Sequence, residues 1–457
     1  MLEFDKIINY DIKAVCVTPL HVGNAGGDKG RILIDEISGT PFIQGSSIAG
    51  VFRESCSEKE ASDWFGNPAR EKADQSRISF SDGLIENDGF KLEMRTRVSI
   101  DPKTGSVKSE KTRENDISSG QLFDIEMVSA ETEFSFSITA FAEGGSKAAE
   151  AKTLIRKLLS RVENGEIRFG GQGSNGFGRA KLKGVFETIY DLCSETKSNE
   201  VFGRKEWAKG EKSPKDISKE IETEAKAIDD YRICFTFDLP NALLIKGNFV
   251  NATVLSENLK KDLEEKDVPD SMNIADGNGK FIIPGSSVKG VLRNRVKMIA
   301  EKLNLSIDTT EKGFGSKEVR SRIRVEDSII EKPEAIISRR TRINKWTGSV
   351  MNRALFSEAL VGGNATVEIS VQSGADDGKW TEKDAQRLSG LIIYAIRDLG
   401  IGLSGLGSTN SVGRGIIDLH SITLKVPGGR EETIKREDKL SDGSIIRECL
   451  RAVKEGR

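Results

Sequence analysis

Phe42-Ile43-Gln44-Gly45-Ser46-Ser47-Ile48-Ala49-Gly50-Val51-Phe52-Arg53 returns later in the chain as Ile282-Ile283-Pro284-Gly285-Ser286-Ser287-Val288-Lys289-Gly290-Val291-Leu292-Arg293. Seven of the twelve positions are identical. Three further blocks recur in the same order. Arg77-Ile78-Ser79-Phe80-Ser81-Asp82 answers Arg322-Ile323-Arg324-Val325-Glu326-Asp327. Arg95-Thr96-Arg97-Val98, then Thr104-Gly105-Ser106-Val107 and Leu122-Phe123, answers Arg340-Thr341-Arg342-Ile343, Thr347-Gly348-Ser349-Val350 and Leu355-Phe356. Gly173-Ser174-Asn175-Gly176-Phe177-Gly178-Arg179 answers Gly407-Ser408-Thr409-Asn410-Ser411-Val412-Gly413-Arg414. The copies stay about 240 residues apart throughout. Chance does not keep order and spacing over four blocks, so the chain carries one unit twice. The first unit spans 1–193 and the second 230–425; a charged linker, 194–229, separates them, and a tail, 426–457, follows.

Within each unit the periodicities alternate. Asp11–Thr18, Phe134–Thr139 and Thr366–Val371 alternate apolar and polar residues as strands do. Lys147–Val162 and Glu382–Leu399 place Leu154, Ile155, Leu158, Leu159 and Leu388, Leu391, Ile392, Ala395 at helical spacing. The Gly-Ser-Ser block opens another helix: Ser46 or Ser47 is the expected N-cap of one running to about Trp64, and Ser286 or Ser287 of its partner through Leu303. Strand–helix–strand–strand–helix–strand is the ferredoxin-like plan shared with RNA-recognition modules, an α+β fold present in tandem. Ser444–Val453 reads as a terminal amphipathic helix, and the linker as holding at most a short one.

Composition narrows the chemistry. Hydrophobic residues are 37% and charged residues 31% of the 457, enough apolar material for two cores. Cys16, Cys56, Cys193, Cys234 and Cys449 are scattered with no CxxC pair, which argues against a zinc or disulfide framework. No apolar run approaches the length of a membrane span and no signal peptide is seen, so no membrane contact and a reducing, cytoplasmic setting are expected. Net charge is −2, yet Lys289 to Lys345 holds 15 Lys/Arg against 8 Asp/Glu. Such local basicity fits either a nucleic-acid footprint or a solvated helix face. The chain has 46 glycines, and two late loops are rich in them, Gly170-Gly171-Gln172-Gly173 and Gly402 to Gly415, where backbone amides can approach a phosphate. Neither loop has the Gly-Lys-Ser/Thr of a nucleotide-phosphate loop.

A helix start rich in Ser hydroxyls and free amides is an anion site, and RNA phosphate is the obvious anion. The candidate RNA contacts are therefore Ser46, Ser47, Arg53, Arg97, Gly173 and Arg179 in the first unit. In the second they are Ser286, Ser287, Lys289, Arg293, Arg342, Gly407 and Arg414. Each also has a plainer reading, as a cap, a tight turn or a structural arginine. Trp346 is a base-stacking candidate or a packing residue. His21 stands in Leu20-His21-Val22-Gly23, where the second copy has Ile245-Lys246-Gly247. It reads as structural or RNA-contacting, since no second nearby His supports paired acid–base work.

A strand, His21-Val22-Gly23, a Gly-rich stretch, Pro41 through Ser47 with Gly50 and Arg53, and Gly173 through Arg179 together resemble the RAMP superfamily of CRISPR proteins. The similarity is greatest to RNA-cleaving backbone subunits of type III effector complexes, and two fused units are similar to the tandem subunits of type III-D-like complexes. Arg97-Val98-Ser99-Ile100-Asp101-Pro102-Lys103-Thr104-Gly105 looks like the start of the family's thumb hairpin. The resemblance implies stacking along a CRISPR guide RNA, other type III subunits as partners, and pairing of target single-stranded RNA to the guide. It further implies metal-dependent endoribonuclease action by a loop Asp before the Gly-Ser-Ser helix, with a divalent ion, magnesium, as cofactor. The family spacing of some six residues between two loop aspartates selects Asp270, six before Asp276. In the first unit it selects Asp28, seven before Asp35. Both candidates serve as catalytic and metal residues; Asp267 and Asp35 compete with them.

The chemistry needs little from the protein. RNA supplies its own nucleophile, and in-line positioning can contribute roughly 7–11 kcal/mol. A carboxylate then acts as general base or metal ligand. The acidic insert 248–269, with Asp262, Glu264, Glu265 and Asp267, could hold a metal, repel RNA or gate the site. The alternative functions are a non-catalytic guide-binding architectural subunit and a guide-processing ribonuclease.

Overall fold

A computed structural model describes residues 4–23, 30–66, 75–85, 90–98, 100, 122–192, 214–224, 230–247, 251–264, 267–305, 308–316, 318–374 and 380–455. Two compact units are present: 1–92 with 126–173 and 177–228, and 229–457 with 93–125 and 174–176. Asp28, Ser99, the whole Asp101–Gly105 stretch and the basic linker residues Lys205, Lys209 and Lys212 lie outside the described residues.

Unit 1 begins with strand β1, Lys6–Cys16, followed by β2 (Phe42–Ile43), α1 (Gly45–Glu54) and α2 (Glu58–Phe65). Then come β3 (Ile78–Phe80), β4 (Gly83–Ile85), β7 (Glu133–Ala142), α3 (Gly144–Glu163) and β8 (Ala180–Asp191), while residues 93–98 and 122–125 of the intervening β5–β6 ladder (Leu92–Val98, Leu122–Val128) belong to the second unit. The sheet runs β2-β4-β7-β1-β8-β9, where β9 is Lys215–Asp216, and β3 also pairs with β7. With β1 and β7 central and antiparallel, this is the ferredoxin-like order. Alternation does the sorting: Ile8, Tyr10, Ile12 and Ala14 of β1 face the core with Phe134, Phe136 and Ile138 of β7. Leu154, Ile155, Leu158 and Leu159 of α3 cover that face. Helix α4 (Ser218–Glu224) buries Ile221, and Ile217 just before it is buried in the same core, so this part of the expected linker is built into unit 1.

Unit 2 repeats the plan. Its elements are β10 (Tyr231–Asp238), α5 (Ala252–Leu259), β11 (Ser271–Met272), β12 (Ile282–Ile283), α6 (Gly285–Lys302), α7 (Asp308–Phe314) and β13 (Ile323–Val325). They continue with β14 (Ser328–Ile343), β15 (Val350–Val371), α8 (Glu382–Gly400), β16 (Asp418–Lys425), β17 (Glu431–Lys435) and α9 (Ile445–Glu455). The sheet order is β12-β14-β15-β10-β16-β17, with β11 and β13 also on β15. Both repeats share a bulge on the first strand, at Lys13/Ala14 and at Thr236/Phe237. The C-terminal helix packs on α8 so closely that a Cβ on Gly390 would lie 2.3 Å from the Cys449 carbonyl.

The Gly-Ser-Ser helices differ from expectation in two ways. They start at Gly45 and Gly285, one or two residues before the serines, so neither Ser46, Ser47, Ser286 nor Ser287 is the N-cap. The cap is tertiary: Gly45 N–H donates to Asp82 Oδ1 (2.7 Å) and Gly285 N–H to Asp327 Oδ1 (2.9 Å). A Cβ would meet the Phe80 carbonyl at 2.7 Å and the Val325 carbonyl at 2.1 Å, so only glycine fits. The first two repeated blocks thus recur together because one caps the other. The first helix also breaks at Ser55-Cys56-Ser57, where Ser57 and Glu60 form a capping box that starts α2.

Candidate functional site

In unit 2, β11 lies parallel to β15 with Ser271 opposite Glu358, and this brings Asp270 beside Ser357. Asp270 N–H donates to the Ser357 carbonyl (2.9 Å). Ser357 N–H returns a bond to Asp270 Oδ2 (2.7 Å), and its hydroxyl adds another at 3.1 Å. The Ser357 N–H, then its hydroxyl, hold the exposed Asp270 carboxyl below the usual carboxylate range; the Lys246 charge adds a smaller share. Oδ1 has no partner among the described residues. Asp267, the competitor, is paired with Arg339 at 2.8 Å.

Next to Ser357 is a buried carboxylate. Glu358 accepts from Arg340 and from Arg414 Nη1 (2.6 Å), while Arg414 Nη2 donates to Ser338 Oγ (3.1 Å). Burial alone would raise the Glu358 carboxyl, but the Arg414 and Arg340 hydrogen bonds outweigh it and the group sits below its ordinary range. Lys246 Nζ stands 3.7 Å from Glu358. Asp276 and Asp35 are not free carboxylates but the heads of matching turns. Asp276 accepts from the Asn278 and Lys280 amides, Asp35 from the Ser38 amide and hydroxyl.

A divalent ion would find few ligands here. Among the described residues no group of three or more His, Cys, Asp or Glu side chains comes together. Asp270 offers one unengaged oxygen, Asp267 is committed to Arg339 and Glu358 to its arginines. The described protein residues therefore do not make a metal site by themselves.

The expected RNA contacts divide. Lys289 is a correction: it is 8% exposed, and its ammonium donates to Ser321 Oγ (2.8 Å) and the Ser174 and Ile323 carbonyls (3.3 and 3.5 Å). Burial first, then Arg293 and Arg97, push it down to about 7. Arg414 is a second correction, being buried on Glu358. Arg53 and Arg293 each donate to the carbonyl that ends the next helical stretch, Phe65 and Gly315, at 3.2 and 2.7 Å. The helix-start amides of Gly45 and Gly285 are taken by carboxylates, which occupy the place expected for phosphate. Ser46 is exposed, and Ser47, Ser286, Ser287 and Arg97 are half-buried. Arg342 is exposed beside Trp346, which is 84% exposed with Lys345 Nζ 4.8 Å from its ring, so Trp346 is no core residue.

The glycine loops align differently from the sequence register. Gly170 and Gly407 both press on a carbonyl, His21 and Leu244, while Gly178 and Gly415 press on Phe169 and Leu406. Gly178 therefore matches Gly415, and Phe177 rather than Arg179 matches Arg414. By the same contacts His21 matches Leu244. The His21 Nδ1 lies 2.7 Å from the Glu126 carbonyl, a structural tie. Arg179 is half-buried along Gly165, and Gly173 opens a 3₁₀ turn.

Lys246, Ser338, Ser357 and Glu358 were not expected. No local pattern marks them; only the placement of Glu358 shortly after the repeated Leu355-Phe356 could have drawn attention to it.

The fold defines a tandem α+β protein with two ferredoxin-like halves, each with a carboxylate-capped glycine helix. The family model of the RAMP superfamily matches residues 13–181 and 241–418, so the chain belongs to the RAMP superfamily. No curated protein is detectably similar in sequence. Among solved structures, a chain of type III-B Cmr-beta bound to cognate target RNA is similar at 17% identity and a TM-score of 0.29. That match covers 40% of this chain and 61% of that one, less than two thirds of its length.

Proposed function

We propose that this chain is a backbone subunit of a type III CRISPR ribonucleoprotein, of the tandem form, that binds guide RNA and cuts paired target RNA. The observation that carries the cutting is Asp270: an exposed, ionised carboxylate anchored through one oxygen and open at the other. In the reaction the target 2′-oxygen attacks the adjacent phosphorus, its proton passes to Asp270 Oδ1, and the bond to the 5′-oxygen breaks. The leaving oxygen takes a proton from water, giving a 2′,3′-cyclic phosphate and a 5′-hydroxyl. A carboxylate held below its usual range is a weak base, so in-line placement by the guide supplies most of the acceleration. A magnesium ion would be held by Asp270 only together with RNA oxygens, and would supply charge stabilisation there.

The partners proposed are guide RNA, target single-stranded RNA and further type III subunits. The tip of the β14–β15 hairpin supports the last: Ile343, Trp346, Val350 and Leu355 are all more than half exposed. Target cleavage by the assembled complex tests the reading. Asp28→Ala and Asp270→Ala should each remove a distinct cut, and the double change both. Unchanged cutting by the double variant leaves an architectural guide binder instead.

A further inference from the structure

The cluster beside Asp270 holds more positive charge than it needs. Glu358 is satisfied by two guanidiniums, Arg340 and Arg414, within hydrogen-bonding reach. Lys246 is a third cation, too far at 3.7 Å for a hydrogen bond and 55% exposed. One carboxylate thus faces three cations, and only Lys246 among them is mostly in solvent. It is held by an isolated β-bridge to Asn273, three residues after Asp270, while Glu358 follows the serine that anchors Asp270. An ammonium on this ledge is placed to meet an anion delivered to Oδ1.

We infer that Lys246 binds a non-bridging oxygen of the scissile phosphate at the second repeat's cleavage site. This rests on the reading of Asp270 as the cutting residue. As the 2′-oxygen bonds to phosphorus and the 5′-oxygen departs, negative charge builds on the non-bridging oxygens. A cation fixed there stabilises that charge more in the transition state than in the substrate. Lys246 passes no proton in this step. It supplies positive charge at the protein surface, where the described carboxylates do not make a metal site by themselves. The repeats are unequal in this respect: by the matching bridges, Gly23 to Ile32 and Lys246 to Asn273, the first repeat has Gly23 at this position.

The test is single-turnover target cleavage by the guide-loaded, assembled complex. Lys246→Ala should slow the cut that depends on Asp270 by about a hundredfold, in kcat rather than KM, and Lys246→Arg should recover most of the rate. A sulfur in place of the non-bridging oxygen should slow the native complex and add nothing to the Lys246→Ala loss. A normal series of cuts by Lys246→Ala, beside loss of one cut by Asp270→Ala, overturns the role of Lys246 alone. A complete series of cuts that survives Asp270→Ala overturns the cleavage reading and this inference with it. A loss that Arg does not recover, with the sulfur effect intact, makes Lys246 merely structural and likewise overturns it.

Discussion

The Arg-Thr-Arg block occurs twice and meets two different fates. On β5, Arg95 is 4% exposed and forms ion pairs with Glu93 and with Asp327, the carboxylate that caps α6. On β14, Arg340 pairs with Glu358 instead, and the hairpin beyond it is apolar and open. The caps differ accordingly: Asp327 is half-buried under an arginine, Asp82 exposed and bonded to its helix. The glycine loops repeat the contrast. A Cβ on Gly176 would lie 2.5 Å from the Val325 carbonyl, whereas one on Gly413 meets nothing within 4 Å among the described residues. Duplication preserved the parts; burial decided which became structure and which remained surface.

The largest effect should come from breaking the buried cap. Asp327→Ala removes the α6 cap and leaves Arg95 without one of its two carboxylates, a loss of about 3–5 kcal/mol. Asp82→Ala removes only a cap, about 1 kcal/mol. Urea unfolding, with hydrogen exchange of α6 and α1, measures both; equal losses would erase the contrast between the two caps.

Next is Glu358, the second fate of the same arginine block. Glu358→Gln should cost about 2 kcal/mol at neutral pH by weakening charged hydrogen bonds. The folded carboxyl sits below its ordinary 4.5. The unfolded chain therefore takes up that proton first. The stabilisation is whole above about pH 4.5 and drains away as pH falls through the lower folded value. Thermal melting from pH 7 to pH 3 should show a steeper acid loss in the native chain than in Glu358→Gln. Parallel curves would remove Glu358 from the account of this site.

The smallest effect on folding belongs to the open tip. Trp346→Ala should leave unfolding unchanged within about 0.5 kcal/mol while weakening RNA binding by about 1–3 kcal/mol where the ring stacks on a base. A clear loss of stability would mean that the tip is packed after all.

Much of the fold was legible because strand alternation and helix periodicity are local. Ile12, Ala14 and Cys16 within the Asp11–Thr18 alternation, and Leu388 through Leu399, declare their faces without help, although the strand itself runs from Lys6 to Cys16. The helix starts were not legible, because their caps lie 37 and 42 residues away in sequence and no adjacent Ser or Thr side chain takes that role. The Ser57–Glu60 capping box, by contrast, is a local signal that marks where the first helix breaks. Charge misled most. Lys289 and Arg414 read as phosphate ligands because sequence reports a cation's presence, not its burial or its acceptors. Dense glycine permitted several registers for the last block, and only carbonyl contacts at Gly178 and Gly415 fix one. Asp270 was singled out only by the loop spacing that the family resemblance implies. Ser357 and Glu358, which come to it from 87 and 88 residues further along the chain, were not.

The most direct test of the central claim is the cut map of a target RNA bound by the assembled complex carrying Asp270→Ala. The account predicts that one cut in the regular series disappears while the others keep their positions and guide binding persists. A complete, unaltered series of cuts would contradict it.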